Sequence, residues 1–308
     1  MAWSIVSDLH LDSLEEPLRP ILAYPPAEKS VRAPYLAVLG DLCSLHDIET
    51  WQSYFNAVVP RYRQVVYVAG NHEYYCEPGK RTYSTDCLLD SVRYWAREKW
   101  PGRLHVLQNE ALEVDGVRVL GTTLWSHVPL KHRAEVQRDV RDYHKIYTQT
   151  STPEASESEP QALRLVTVED TNRWHEESLA FLKQELASHP QQPTMVLSHH
   201  APLVRGTSAP AYERPGRAVS RAFATDLSSL IVAHPQLRLW GFGHTHWRCQ
   251  FQFHHCTIVS HPRGYSYTQK VDPGEPLCIT QGPAACVPAE HAPSMSKSTI
   301  KPPPGSWH

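Results

Sequence analysis

Asp, His and Asn recur in this sequence in short blocks, each placed directly after an apolar run. The blocks are Asp8-Leu9-His10, Gly40-Asp41, Gly70-Asn71-His72-Glu73, Ser198-His199-His200 and Gly243-His244-Thr245-His246. Imidazole nitrogens mixed with carboxylate and amide oxygens are donors for first-row divalent metals. The preceding runs, residues 3–7, 35–39, 64–69, 194–197 and 237–242, are rich in Val, Ile, Leu and aromatics. Such runs read as strands buried on both faces. Open α/β sheets bind ligands beyond the carboxyl ends of their strands, so five such ends predict one shared metal centre. Residues two apart leave an extended chain on the same side, which pairs Asp8 with His10 and His244 with His246.

These strands need a frame. Helical spacing runs through residues 47–59, 84–100, 171–188 and 220–233. The third segment aligns Trp174, Leu179, Leu182 and Leu186, and the fourth Phe223, Leu227, Leu230 and Ile231. Alternation of strand and helix argues a layered α/β fold. Two hairpins add antiparallel strands: 111–114 with 117–120 around Asp115-Gly116, and 249–253 with 257–260 around His254-His255. The expected architecture is a four-layer α/β/β/α sandwich of two mixed sheets flanked by helices, spanning residues 1–271. Residues 149–161, rich in Ser, Thr, Glu and Pro, read as a mobile surface loop, and the Pro-rich segment 272–308 as a disordered tail.

Composition narrows the partners. Lys and Arg number 30 against 32 Asp and Glu, for a net charge of -2, so no global field favours nucleic acid or an anionic membrane. Seven cysteines without a C-x-x-C pair point to a reducing compartment. A cleavable leader would have to remove part of the Asp8 block, and no run reaches the roughly 20 apolar residues of a membrane span. A cytoplasmic protein is expected. Residues 131–145 place Arg138, Arg141 and Lys145 along one helical side, but Glu135, Asp139 and Asp142 interleave, which suits a solvated mixed-charge face.

In their order, the five blocks resemble the calcineurin-like metallophosphoesterase superfamily, with G-N-H-E far upstream of G-H-x-H as the most specific combination. The resemblance implies that Asp8, His10 and His246 hold one divalent metal ion and that Asn71, His199 and His244 hold a second, with Asp41 bridging. The ions would be drawn from Mn, Fe, Zn and Co. His72 would act as general acid or as a donor to phosphate, and Glu73 would orient the loop. Two dications carry more charge than Asp8 and Asp41 return, which favours a small phosphoester substrate. A water shared by metals ~3.5–4 Å apart becomes an in-line nucleophile near neutral pH.

Several residues stay open at this level. His199 is taken as the ligand because it follows its strand directly in similar proteins, leaving its neighbour His200 to support the site or face substrate. Arg263 could reach phosphate from the rim or form an ion pair. Asp142-Tyr143 resembles a short element of a little-characterised branch. The loop 203–217, with Arg205, Arg214 and Arg217, is a candidate lid. Histidines outside the blocks, such as His189, His234 and His254, read as surface or capping residues. A phosphodiesterase or phosphomonoesterase is the leading expectation; a nuclease of the same fold and an inert metal-binding scaffold are the alternatives.

Overall fold

Alternation of side chains along the ligand-bearing strands sorts the protein into layers. The computed structural model describes residues 2–13, 33–150, 162–214, 216–264 and 277–280. Its strands are β1 (Ala2–Val6), β2 (Tyr35–Leu39), β3 (Gln64–Val68), β4 (Leu104–Val106), β5 (Glu110–Val114), β6 (Val117–Thr122), β7 (Tyr147–Gln149), β8 (Leu163–Leu165), β9 (Thr194–Ser198), β10 (Leu237–Phe242), β11 (Cys249–Phe253), β12 (Cys256–Ser260) and β13 (Leu277–Thr280). The α-helices are α1 (Ile48–Val58), α2 (Thr85–Lys99), α3 (Arg133–Asp139), α4 (Asp142–Lys145), α5 (Val168–Ser188) and α6 (Ser228–Ala233). One sheet has the order β13-β1-β2-β3-β4 and the other β11-β12-β10-β9-β6-β5; β7 and β8 form a separate pair.

In β2, Tyr35, Ala37 and Leu39 pack with Met195, Leu197 and Leu239 of the other sheet. Leu36 and Val38 point the opposite way, to Trp51 and Phe55 of α1 and Leu88 and Val92 of α2. The second sheet mirrors this arrangement: Val196 of β9 and Trp240 of β10 pack against Leu182 and Leu186 of α5 and Ile231 of α6. Period-two burial thus builds α/β/β/α from inside outward, and the expected four-layer sandwich is what forms.

Strands β1 to β4 run parallel, as do β6, β9, β10 and β12, so every ligand-bearing strand ends in a parallel setting. Backbone bonds stitch those ends together. The Asp8 N–H donates to the Gly40 carbonyl (3.0 Å), Gly243 N–H to that of His199 (2.9 Å) and Ser7 N–H to that of His261 (3.2 Å).

Side-chain caps set the starts of three helices. The Asp47 and Ser84 side chains cap α1 and α2. Helix α5 starts three residues before the expected Thr171 because Thr167 and Asp170 form a reciprocal capping box. The β5–β6 turn has both Asp115 (φ 45°) and Gly116 (φ 78°) in the left-handed region, as a two-residue hairpin requires.

Three expectations change. Residues 220–233 are not one helix: a 3₁₀ turn, Val219–Ala222, is separated from α6. The Ala201 N–H donates to the Phe223 carbonyl and Thr225 N–H to that of Ala201, so pairing with the chain after His200 captures backbone the helix would need. Residues 131–145 also break, at Val140, whose ψ of 129° is extended. Their cations diverge, Arg138 pairing with Asp139 and Lys145 with Glu77. Lastly, Leu277–Thr280, read as part of the tail, is a strand antiparallel to β1 with Thr280 opposite Ala2, and it covers that sheet edge. The rest of the tail and residues 151–161 of the mobile-loop expectation lie outside the described residues. Among the described residues, no helix is long and apolar enough to cross a membrane.

Candidate metal centre

Five of the seven expected ligands sit in the left-handed backbone region: Asp8 (φ 54°), His10 (42°), Asp41 (54°), His244 (68°) and His246 (50°). Non-glycine residues held there cost about 1–3 kcal/mol each and cluster at functional sites. The expectation of extended D-x-H and H-x-H pairs therefore fails. Each chain turns sharply as it leaves its strand, so ligand direction is set by the turn. Asp8 and His10 still meet, whereas His244 and His246 separate into different clusters.

Glycines make room for these turns. A Cβ on Gly40 would fall 2.3 Å from His199 Nδ1, and one on Gly70 2.3 Å from Asp41 Oδ1 and 2.7 Å from the Asp41 backbone nitrogen. Gly70→Ala is expected to destabilise the fold by about 1–3 kcal/mol and to lower metal content after dialysis, measured by inductively coupled plasma mass spectrometry. Undiminished metal content would show that the loops yield.

Two ligand groups form around one carboxylate. Asp8, His10, Asp41 and His246 make the first and Asp41, His199 and His244 the second; within each, the donor atoms lie within 4.8 Å of one another. Asp41 Oδ2 is 3.8 Å from His10 Nε2, and its Oδ1 is 3.3 Å from His199 Nε2. In the first group, His246 Nε2 lies 3.4 Å from Asp8 Oδ1 and 3.0 Å from His10 Nε2. Asn71 lies beside the second group, its Oδ1 3.0 Å from His199 Nε2.

The donor set fits divalent cations. Burial works to raise the Asp41 carboxyl, but the imidazoles of His199, His72 and His10 hold it well below the ordinary carboxylate range. For His199, burial opposes protonation and the Asp41 charge prevails, pushing the imidazole up to about 10. The Asp41 charge thus draws a proton onto His199, a place where a dication would serve the same electrostatic end. Burial, then neighbouring imidazoles, keeps His244 well below its ordinary value, as a neutral lone-pair donor. Its Nε2 is buried without a hydrogen-bond partner, the condition of a ligand atom.

Glu73 is the hub of the loops. Its carboxylate accepts from the Asp41, Leu42 and Gly70 N–H groups, each at 2.8 Å, and from the Tyr67 hydroxyl at 2.9 Å. Burial and the neighbouring Asp41 charge push its carboxyl up to about 7, while the backbone donors pull it down. The loop-orienting role expected of Glu73 thus has a definite mechanism: it clamps the turn after β2 to the turn after β3.

His72 lies over the centre, its N–H donating to Asp41 Oδ1 (3.0 Å) and its ring stacked on Tyr75 with centroids 4.1 Å apart. His200 is fully buried, its Nδ1 2.9 Å from Ser126 Oγ and its ring 4.0 Å from that of His244. That placement favours support of His244 over contact with substrate. Arg263 is half-buried beside β1, its N–H donating to the Ser7 carbonyl. Both of its terminal nitrogens are buried without a hydrogen-bond partner, so no ion pair accounts for it among the described residues.

Sequence reasoning left Asp142 without a role. The carboxylate is buried beside the second group, where its Oδ1 accepts from Asn71 Nδ2 (2.8 Å) and from the Tyr75 hydroxyl (2.6 Å). Nothing local announces this, because 71 positions separate it from Asn71. Trp125 is core, stacked on Tyr74 and tilted against Trp174, and His189 and His234 are helix C-caps as expected.

A sequence model described as calcineurin-like phosphoesterase matches residues 4–248. An uncharacterised protein of Acanthamoeba polyphaga mimivirus is 29% identical over 239 residues, covering 76% of this chain and 79% of that protein. The crystal structure of a phosphopantetheinyl hydrolase from Mycobacterium tuberculosis superposes with a TM-score of 0.61 at 15% identity, covering 86% of this chain and 90% of that one. At that identity the likeness speaks to the fold.

Proposed function

This chain belongs to the calcineurin-like phosphoesterase family and is a metal-dependent phosphoester hydrolase, and we propose that it works with two divalent cations sharing Asp41. The observation that carries the proposal is the pair of ligand groups with one carboxylate common to both. Asp8, His10 and His246 would hold one ion, and Asn71, His199 and His244 the other. Imidazole, carboxylate and amide donors suit Mn, Fe, Zn or Co. When bound, such ions act as Lewis acids and lower the pKa of water so that hydroxide is available near neutral pH.

The chain's own groups do the rest. Asp41 and Asp8 return two negative charges against the four of two dications, so the pocket keeps a surplus that attracts a phosphate anion. Arg263, whose buried terminal N–H groups have no partner among the described residues, would donate to the phosphate oxygens. His72, fixed by its N–H bond to Asp41 and its stack on Tyr75, would hydrogen-bond the leaving or non-bridging oxygen. His200 would hold the His244 ring in place from behind.

The test is a manganese-supplemented panel of p-nitrophenyl phosphate, bis-p-nitrophenyl phosphate, cyclic nucleotides and short oligonucleotides. Turnover of small esters that survives added salt supports the reading. Activity confined to oligonucleotides would favour the nuclease, and a metal-replete protein inert on every member would favour the scaffold. On the best substrate, Arg263→Ala is expected to raise KM about tenfold, or about 1.4 kcal/mol, with metal content preserved. An unchanged KM would remove Arg263 from the phosphate site.

A further inference from the structure

A carboxamide ligand has a difficulty that a carboxylate lacks: only its oxygen can donate a lone pair, and its NH₂ end turned inward would repel a cation. Something must choose the orientation of Asn71. A carboxylate can only accept hydrogen bonds, so one placed beside the amide selects the NH₂ end. Asp142 occupies that place. Its Oδ1 accepts from Asn71 Nδ2 at 2.8 Å, while Asn71 Oδ1 faces His199 Nε2 at 3.0 Å. The Tyr75 hydroxyl donates to the same Asp142 oxygen at 2.6 Å and lies 3.4 Å from Asn71 Nδ2.

The surrounding structure holds Asp142 there. It opens the four-residue helix α4, which docks on the chain after β3 through the Cys76 N–H to Lys145 carbonyl bond (2.9 Å) and the Lys145–Glu77 ion pair (2.7 Å). The next residue, Tyr143, is buried with its hydroxyl 3.1 Å from Thr171 Oγ1 on α5. A segment outside both central sheets therefore delivers one buried carboxylate to the back of one ligand.

We propose that Asp142, with Tyr75, is a positioning residue that fixes the Asn71 amide and thereby the affinity of the second cation. This rests on the two-ion reading given above. Asp142 belongs to neither ligand group, and its effect falls on the ion held by Asn71, His199 and His244. Partners at this remove from a metal typically set its affinity by about 10- to 100-fold.

The experiment titrates metal-stripped protein with Mn²⁺, reading stoichiometry by calorimetry and ion–ion coupling by electron paramagnetic resonance. Wild type is expected to take two ions and show a spin-coupled signal. Asp142→Leu should bind the second ion about 10- to 100-fold more weakly and give an uncoupled signal, with the first ion unaffected. The exchange Asn71→Asp with Asp142→Asn reverses the donor and acceptor, leaves an oxygen toward the cation, and should restore the coupled pair. Wild-type affinity for both ions in Asp142→Leu would overturn the proposal. Should that variant fail to fold, loss of the second ion in the exchanged double variant would overturn it equally. A wild-type protein binding a single ion would instead defeat the two-ion reading itself.

Discussion

Asp41→Asn is expected to lower phosphoester turnover on the order of a thousandfold, about 4 kcal/mol of barrier, and to weaken both metal sites together. Asp41 is the residue common to both ligand groups, with Oδ1 3.3 Å from His199 Nε2 and Oδ2 3.8 Å from His10 Nε2. Its Oδ1 also accepts the His72 N–H at 3.0 Å. An amide in its place must put an NH₂ group on one of these sides. If Oδ1 becomes nitrogen, the second group loses its shared oxygen and the His72 donor is opposed; if Oδ2 does, the first group loses it. Either way the charge common to both groups is gone. The substitution nearly preserves shape, so the packing of Gly70 against this side chain survives and the fold should persist. Metal titration together with kcat on the best ester checks the prediction. Near-normal turnover, or loss of one ion only, would contradict a shared bridging role.

Glu73→Ala should cause the largest loss of stability among the site residues, about 4 kcal/mol, because four donors lose one acceptor at about 1–3 kcal/mol each before relaxation. Three of these donors are the backbone N–H groups of Asp41, Leu42 and Gly70, and all four bonds are buried. A fall of roughly 10 °C in the melting temperature would correspond. Glu73→Gln keeps a single acceptor oxygen and turns an NH₂ toward the remaining donors, so it should recover only part of the loss. Because Glu73 joins the turn bearing Asp41 to the turn bearing Asn71, the Ala variant should also bind metal more weakly. A melting temperature within a degree or two of wild type would show that water replaces the carboxylate.

The fold and the site were legible to different depths. Trp3 and Ile5, Tyr35 to Leu39 and Met195 to Leu197 announce buried strands by composition, and their order among helical segments is enough to call the layers. Asp115-Gly116 and His254-His255 mark hairpins that form as read. The 220–233 segment misleads because its apolar spacing is real: Leu227, Leu230 and Ile231 are buried as a helix would bury them. Its first half is nonetheless recruited by Ala201, a partner that periodicity cannot register. The direction of the ligands fares similarly. Spacing of two suggests one shared side, and positive φ at His244 and His246 sends them to different groups.

Which residue types stand at which strand ends was determined by the sequence alone, since apolar runs, turn glycines and donor side chains are local properties of the chain. Tertiary structure decided how the backbone turns carry those donors into the two groups that the resemblance implied, and it alone decided that Glu73 clamps two turns and that Asp142 faces the Asn71 amide. The reason is that these outcomes depend on backbone turns and on contacts between residues far apart in the chain, whose directions arise only when the two sheets pack face to face.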